Sequence, residues 1–233
     1  MSGTVWGIGV GPGDPELLTL KAVRLIRAAA VIAYPAPVEG ESFARMIAAP
    51  YLPGGQEEIA IRMPLGDGQF PKQSIYEAAA AAIATRVAEG LDVAVLCEGD
   101  PFFYGSFMYL YARLVVSCPV QVVPGVSSLM ACADVAGAPL AARNDVLTVL
   151  PAPLPEEELL RRLAVADAAA LIKVGRHLGK LRRVLATLGL LDQARYVERA
   201  TLGAQRVLPL EAAGETAPYF SMVLVHRRGE AWQ

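Results

Sequence analysis

Cysteine is scarce in this chain of 233 residues, with only Cys97, Cys118 and Cys132. An odd, widely spaced set offers neither a disulfide framework nor a paired-cysteine metal motif, so the three read as reduced core thiols and the expected compartment is the cytoplasm. No clustered ligand pattern calls for a metal ion. Charge of one sign is lacking too: 21 Lys and Arg stand against 23 Asp and Glu, a formal net charge of −2. No basic field exists to attract nucleic acid or an anionic membrane, and neither is expected as a partner. Long apolar runs are absent as well, since Pro35 and Pro37 interrupt the best candidate, residues 28–38, well short of the roughly 18 residues a bilayer requires. The opening "MSGTVWGIGV" has no basic region of the kind a secretion signal carries. The two histidines, His177 and His226, have no recognisable partner in the sequence and receive no catalytic role.

What is present is apolar residue in quantity, 54% of the chain, enough for one large or two modest cores. Strand-length apolar runs alternate with segments of helical period: "TVWGIGVG", then a helix over "DPELLTLKAVRLIRAA" with Leu17, Leu20, Ala22, Val23 and Leu25 toward its buried side, then "AVIAY", "EEIAIR", the helix "SIYEAAAAAIATRVAEG", "DVAVLC" and "VQVV". After a proline cluster at 151, 153 and 155 a second series follows, and its last two strands, "QRVLPL" and "YFSMVLVHR", succeed each other without a helix, which predicts antiparallel strands at the end. The expected fold is α/β in two domains, residues 1–124 with a mostly parallel sheet and residues 125–233 with a mixed one.

The segment "GIGVGPGD" leaves the first strand and suggests a nucleotide. A dinucleotide fingerprint needs glycines at relative positions 1, 3 and 6, and the sixth position falls on Pro12, Asp14 or Glu16 in the three registers available. That spacing disfavours a nicotinamide oxidoreductase. A phosphate-binding loop needs Lys and then Ser or Thr after its last glycine, where Asp14 and Pro15 stand here. A carboxylate at a helix entrance repels phosphate.

Gly-Asp-Pro occurs twice, at residues 13–15 and 99–101, each at the carboxyl end of an expected strand, where open α/β sheets bind ligands. For Asp14, a helix cap followed by Pro at the first helical position is as good an account as ligand binding. Asp100 is followed by "PFFYGS", a poor first turn, so residues 98–104 read as a loop carrying acidic and aromatic groups. A third turn, "VVPGVSSL", offers Ser127 and Ser128 at a helix start. Three such turns describe a polar, mildly acidic, phosphate-averse edge, and S-adenosylmethionine, a phosphate-free nucleoside with a sulfonium, an ammonium and a ribose diol, suits it.

The stretches "GIGVGPGDPELLTLKA", "CEGDPFFYGSFMYL" and "VVPGVSS" resemble the three signature turns of the tetrapyrrole (corrin/porphyrin) methylases, and "LIKVGR", "VERATLGAQRV" and "PYFSMVLV" extend the likeness through the second half. The resemblance implies a homodimer that uses S-adenosylmethionine as methyl donor, held in a ligand cleft between the two domains and bound by Pro12, Gly99, Asp100, Phe103, Ser127 and Ser128, with Val174 and Ala200 from the second domain through backbone groups. Within the family, "GDPFFYGSFMYL" and "YPAP" are most similar to the branch that methylates C20 of precorrin-2, or its cobalt-containing counterpart, in cobalamin synthesis; a family member acting at another ring carbon is the alternative. Relatives acting on uroporphyrinogen carry an aspartate where Pro35 stands, so their proton-transfer scheme does not transfer. Glu98 replaces a usual glycine and adds a carboxylate to the edge. A tetrapyrrole fringed by carboxylates calls for guanidinium groups, and Arg62, Arg113, Arg143 and Arg176, near expected strand ends or turns, are the candidates alongside Glu98. No catalytic base is assigned.

Overall fold

The computed structural model describes residues 2–64 and 71–229. It divides into two compact units, residues 1–127 and 128–233.

In the first unit, strands β1 (Val5–Gly9), β2 (Val31–Pro37), β3 (Glu57–Met63), β4 (Val93–Cys97) and β5 (Val120–Val123) form one sheet in the order β3-β2-β4-β1-β5. Every pairing is parallel. Strand β4 is buried at all five positions while the edge strand β3 is partly exposed, the pattern of a sheet covered on both faces at its centre. On one face α1 (Leu20–Ala28) and α2 (Phe43–Ala48) pack Ala22, Ile26, Ala44 and Ile47 against Ile8, Ile32 and Leu96. On the other, α3 (Gln73–Ala88) and α4 (Phe107–Leu114) pack Tyr76, Ile83, Phe107 and Leu110 against Val5, Val31, Val93 and Val95. The connection from β1 passes over β4 to reach β2, and the connection from β4 passes over β1 to reach β5. The order therefore reverses at the β4/β1 pair, which opens a crevice at the carboxyl ends of these strands.

Two local expectations are corrected here. The helix expected from Asp14 onward is broken: Asp14 caps a single 3-10 turn, Pro15–Leu17, Leu18 and Thr19 are extended, and α1 begins at Leu20. Thr19 is the reason, since its hydroxyl accepts the Ala22 N–H at 3.1 Å and so starts a second, separate helix. Leu20, expected in the core, is 89% exposed as a result; Ala22, Leu25 and Ile26 make the buried face. Strand β2 also runs through both its prolines. Its pairing with β4 ends at Ala33 while that with β3 continues to Pro37, so the missing N–H groups break no ladder on the β4 side.

In the second unit, β6 (Leu147–Pro151), β7 (Ala168–Ile172), β10 (Ser221–His226), β8 (Ala194–Glu198) and β9 (Arg206–Pro209) lie side by side in that order. Strands β6 and β7 are parallel, β10 is antiparallel to both β7 and β8, and β9 is antiparallel to β8. The last two strands are thus antiparallel to β8 but lie on its opposite sides, not paired with each other. Helices α6 (Glu156–Leu163) and α7 (Leu178–Thr187) cover one face through Leu159, Leu163, Leu181 and Leu185, and α5 (Ser128–Ala136) covers the other through Leu129, Ala131 and Cys132. All three cysteines are buried free thiols, and burial pushes Cys132 up to about 12.

Candidate functional site

Three loops leave the carboxyl ends of the neighbouring strands β4, β1 and β5, and backbone locks them together. Val10 N–H donates to the Cys97 carbonyl at 2.9 Å; Gly99 N–H donates to the Gly11 carbonyl at 2.8 Å, and Gly11 N–H returns a bond to Gly99 at 3.3 Å. A Cβ on Gly9 would stand 2.6 Å from Gly125 Cα and from the Gly99 carbonyl oxygen, and one on Gly125 only 2.1 Å from that oxygen. Gly99 itself has φ +63°, in the left-handed region. The glycines of these turns thus let three loops approach one another. Gly125 is anchored among the loops of the first sheet, and Ser128 opens α5 at the start of the second unit.

Asp100 completes the lock. Its Oδ1 accepts the Phe102 N–H at 2.9 Å and its Oδ2 accepts the Gly125 N–H at 3.1 Å, so one carboxylate ties the β4 loop to the β5 loop. An ionised carboxylate has about four acceptor positions, which leaves Asp100 capacity for a ligand. Residues 101–105 form a non-helical loop, as expected, with Phe102, Phe103 and Tyr104 exposed and Phe103 edge-on to Tyr104 at 5.1 Å. Pro12 is buried in the β1 loop. Ser127 is partly buried and Ser128 exposed. Across residues 10–15, 98–105 and 124–127 there are three carboxylates, Asp14, Glu98 and Asp100, and no Lys, Arg or His. Such an edge favours a cation and disfavours phosphate.

Glu98 directly follows β4 and is partly buried. Burial raises its pKa above the ordinary carboxylate value.

The four arginines separate into two kinds. Arg62 donates from Nη1 to the carbonyls of Pro37 and Gly40 at 2.9 and 3.0 Å, and Arg113 donates to the Tyr109 carbonyl at 2.7 Å and to Gln73 at 2.5 Å, with its guanidinium 5.8 Å above the Tyr76 ring. Both hold the first unit's own elements. Arg143 and Arg176 are exposed, Arg143 in the turn before β6 with φ +52° and Arg176 in a 3-10 turn after β7. In the second unit, Val174 is fully buried at the start of that 3-10 turn and Ala200 is buried in the loop after β8.

Several organising side chains were invisible in the sequence. Tyr34 Oη donates to Glu58 at 2.6 Å, and Arg45 grips the same carboxylate at 2.6 and 2.8 Å, fixing α2 beside the end of β2; Arg45 holds Glu58 well below its usual range, at about 2. In the second unit, His226 has a partner after all: its Nε2 lies 3.1 Å from Asp145, which Arg228 also holds at 2.8 and 2.9 Å. Asp145 and His226 are 81 positions apart, beyond any motif spacing. Among the described residues no three His, Cys, Asp or Glu side chains are placed to hold a metal ion, and no helix is long and apolar enough to cross a membrane.

The description of the tetrapyrrole (corrin/porphyrin) methylases matches residues 4–213. The chain is 46% identical over 232 residues to a precorrin-2 C(20)-methyltransferase from a Sinorhizobium species, covering 96% of this chain and 95% of that one. It is equally identical to the cobalamin biosynthesis protein CobIJ of Mycobacterium bovis, of which it spans about half, 46% of the length. Among solved structures, a uroporphyrin-III C-methyltransferase from Thermus thermophilus in complex with S-adenosylhomocysteine superimposes with a TM-score of 0.71 at 26% identity, covering 96% of this chain and 97% of that one. An edge of three interlocked glycine turns that is acidic where a phosphate site would be basic, on two sheets of this connectivity, thus coincides with a match along nearly the whole chain: the protein belongs to the tetrapyrrole methylase family.

Proposed function

We propose that this chain transfers the methyl group of S-adenosylmethionine to C20 of precorrin-2. The observation that carries the reading is the near full-length match, at 46% identity, to a precorrin-2 C(20)-methyltransferase, on a chain whose carboxyl edge is acidic and interlocked. The fit to the donor is chemical: Asp14 and Asp100, in loops that carry no Lys, Arg or His, suit a ligand bearing a sulfonium and an ammonium. The donor supplies an electrophilic methyl on positively charged sulfur. Pro12, Gly99, Asp100, Phe103, Ser127 and Ser128 bind it in this reading, and Val174 and Ala200 contribute backbone groups.

The protein's share of the rate is placement. A rigid, glycine-locked edge holds the donor so that the methyl lies in line with the ring carbon, and exclusion of water favours a step in which charge at sulfur disappears. The C20–methyl bond forms as the sulfur–methyl bond breaks, and the C20 proton is then lost. Arg143 and Arg176, whose guanidinium groups are exposed, are the candidates for the substrate's carboxylates, and Arg62 and Arg113 are accounted for by their own unit. The active form in this reading is a cytoplasmic homodimer, which light scattering on the purified chain tests.

Incubation with S-adenosylmethionine and precorrin-2, metal-free and cobalt-loaded in parallel, should release S-adenosylhomocysteine and place the new methyl at C20 by NMR. A methyl at any other ring carbon, or no turnover with either substrate, overturns the assignment.

A further inference from the structure

The loop after β8 is held by side chains to which the proposed reaction gives no role. Glu198, the last residue of β8, is buried, with its side chain 7% exposed. Tyr196 Oη donates to its Oε2 at 2.6 Å, Arg206 donates to its Oε1 at 3.3 Å from directly across the β8/β9 pairing, and the Arg199 guanidinium lies 3.9 Å away. A buried carboxylate with these partners is costly to disturb. Immediately beyond it, Arg199 and Thr201 both adopt positive φ, +49° and +68°. Left-handed backbone at two non-glycine residues within three positions is strained and persists only where the surroundings impose it. The clamps are visible: Arg199 N–H donates to the Phe220 carbonyl at 2.8 Å, and Thr201 N–H donates to the Gln205 side-chain oxygen at 2.7 Å.

Between the two strained residues sits Ala200. It is only 7% exposed, yet neither its N–H nor its C=O is hydrogen-bonded to another described residue. Buried backbone groups are almost always paired. A loop that spends strain to leave both groups of one residue unpaired is organised for a ligand.

We infer that Glu198 is a positioning residue for the methyl donor: with Tyr196 and Arg206 it fixes the turn at residues 199–201, and so keeps the backbone of Ala200 available to the bound nucleoside. The inference rests on the assignment of Ala200 to the donor site. Glu198 touches neither reactant. Its loss frees the Tyr196 hydroxyl and two guanidinium groups, lets residues 199–201 relax toward ordinary backbone angles, and weakens donor binding without changing the chemical step.

The test is calorimetry with S-adenosylhomocysteine on the purified full chain and its Glu198→Ala, Glu198→Gln and Tyr196→Phe variants, each checked for a cooperative thermal transition, together with steady-state kinetics. Glu198→Ala should weaken binding by about tenfold and raise the KM for S-adenosylmethionine by a similar factor, with kcat at saturating donor within about twofold of the parent. Glu198→Gln, which keeps an acceptor for Tyr196, should recover most of the affinity, and Tyr196→Phe should lose about threefold. Should Glu198→Ala fail to fold, the other two variants decide. Parental affinity in every folded variant, or a fall in kcat at unchanged KM, overturns the inference. Absence of binding by the parent chain overturns the reading of the donor site itself and this inference with it.

Discussion

The two units solve the same problem by different means. At the carboxyl edge of the first sheet, loops are joined backbone to backbone, and the contact is possible because Gly9, Gly99 and Gly125 have no side chains. At the corresponding edge of the second sheet, Lys173, Arg199 and Thr201 have positive φ and none is glycine, whereas the first edge adds to its glycine contacts Tyr104 at φ +56° and the side-chain tie of Asp100. In the second unit the backbone is held by side chains, Glu198 with Tyr196 and Arg206, and Gln205 with Thr201. Glycine removes the steric cost of an unusual backbone; a buried polar network opposes that cost with hydrogen bonds. The first device tolerates no added atom, and the second tolerates no lost partner.

The largest expected effect breaks the first device. Gly125→Ala puts a Cβ 2.1 Å from the Gly99 carbonyl oxygen, and both atoms belong to backbone tied into the sheet. Neither can move without also breaking the bonds from Gly125 to Asp100 or from Gly99 to Gly11. Overpacking of this kind costs about 1–3 kcal/mol, and concentrated in the loops it should lower affinity for S-adenosylhomocysteine by up to roughly a hundredfold. Calorimetry on the variant, compared with Glu198→Ala, measures whether glycine contact or polar clamp is the stiffer constraint. Unchanged affinity would show that the first-unit loops do not shape the donor site.

Acid should separate the units next. Each has a carboxylate held ionised by arginine: Glu58 by Arg45 at about 2, and Asp145 well below its usual range by Arg228, with the Ala142 N–H and His226 assisting. A carboxylate with a lowered native pKa contributes stability that is fully present above its unfolded value and disappears as pH falls through the native one. For Glu58 that window runs from about 4.5 down to about 2. The thermal midpoint should fall across it, and Glu58→Gln should lower the midpoint at pH 7 while flattening the fall. A midpoint of the parent chain that stays level between these limits would show that the pair adds nothing to stability.

The same contrast explains what was legible beforehand. Glycine carries its meaning locally, so the turns at 7–14, 99–105 and 124–128 declared themselves, and so did the strand and helix succession around them. Asp100 was visible as a loop residue, but its bond to Gly125, 25 positions on, was not. The polar networks join residues by spatial, not sequence, proximity: Tyr34 with Glu58, Asp145 with His226, Arg45 with Glu58. That Arg62 and Arg113 reach carbonyls of their own unit is likewise beyond the sequence, which does not show where a guanidinium ends. The β9 and β10 strands were recognisable, yet their placement on either side of β8 is a choice of pairing that no local pattern encodes.

Where the sequence predicts one helix from Asp14 onward, two caps compete within six residues. Asp14 accepts the Glu16 N–H at 2.8 Å and starts a turn that stops at Leu17, while Thr19 starts α1. Thr19→Ala removes the second cap and should cost about 1 kcal/mol of stability. Because Thr19 stands outside the interlocked loops, its effect should appear in the thermal midpoint and leave affinity for S-adenosylhomocysteine within about twofold. A large loss of affinity would instead extend the rigid edge into α1.

The smallest effect tests the second unit's strained backbone from the other direction. Arg143 has φ +52° in an exposed turn. For an L-residue that conformation costs about 1–2 kcal/mol, which glycine avoids, although glycine also gains more freedom in the unfolded chain. The two terms oppose, and Arg143→Gly should stabilise the protein by about half a kcal/mol. If the guanidinium also reads a carboxylate of the tetrapyrrole, the KM for precorrin-2 rises in the same variant, while Arg143→Lys keeps both the charge and the backbone cost. A stabilised variant with a raised KM identifies strain retained for substrate binding. Stabilisation at unchanged KM makes Arg143 an ordinary turn residue, and leaves Arg176, in the turn after β7, as the remaining guanidinium of the proposed substrate site.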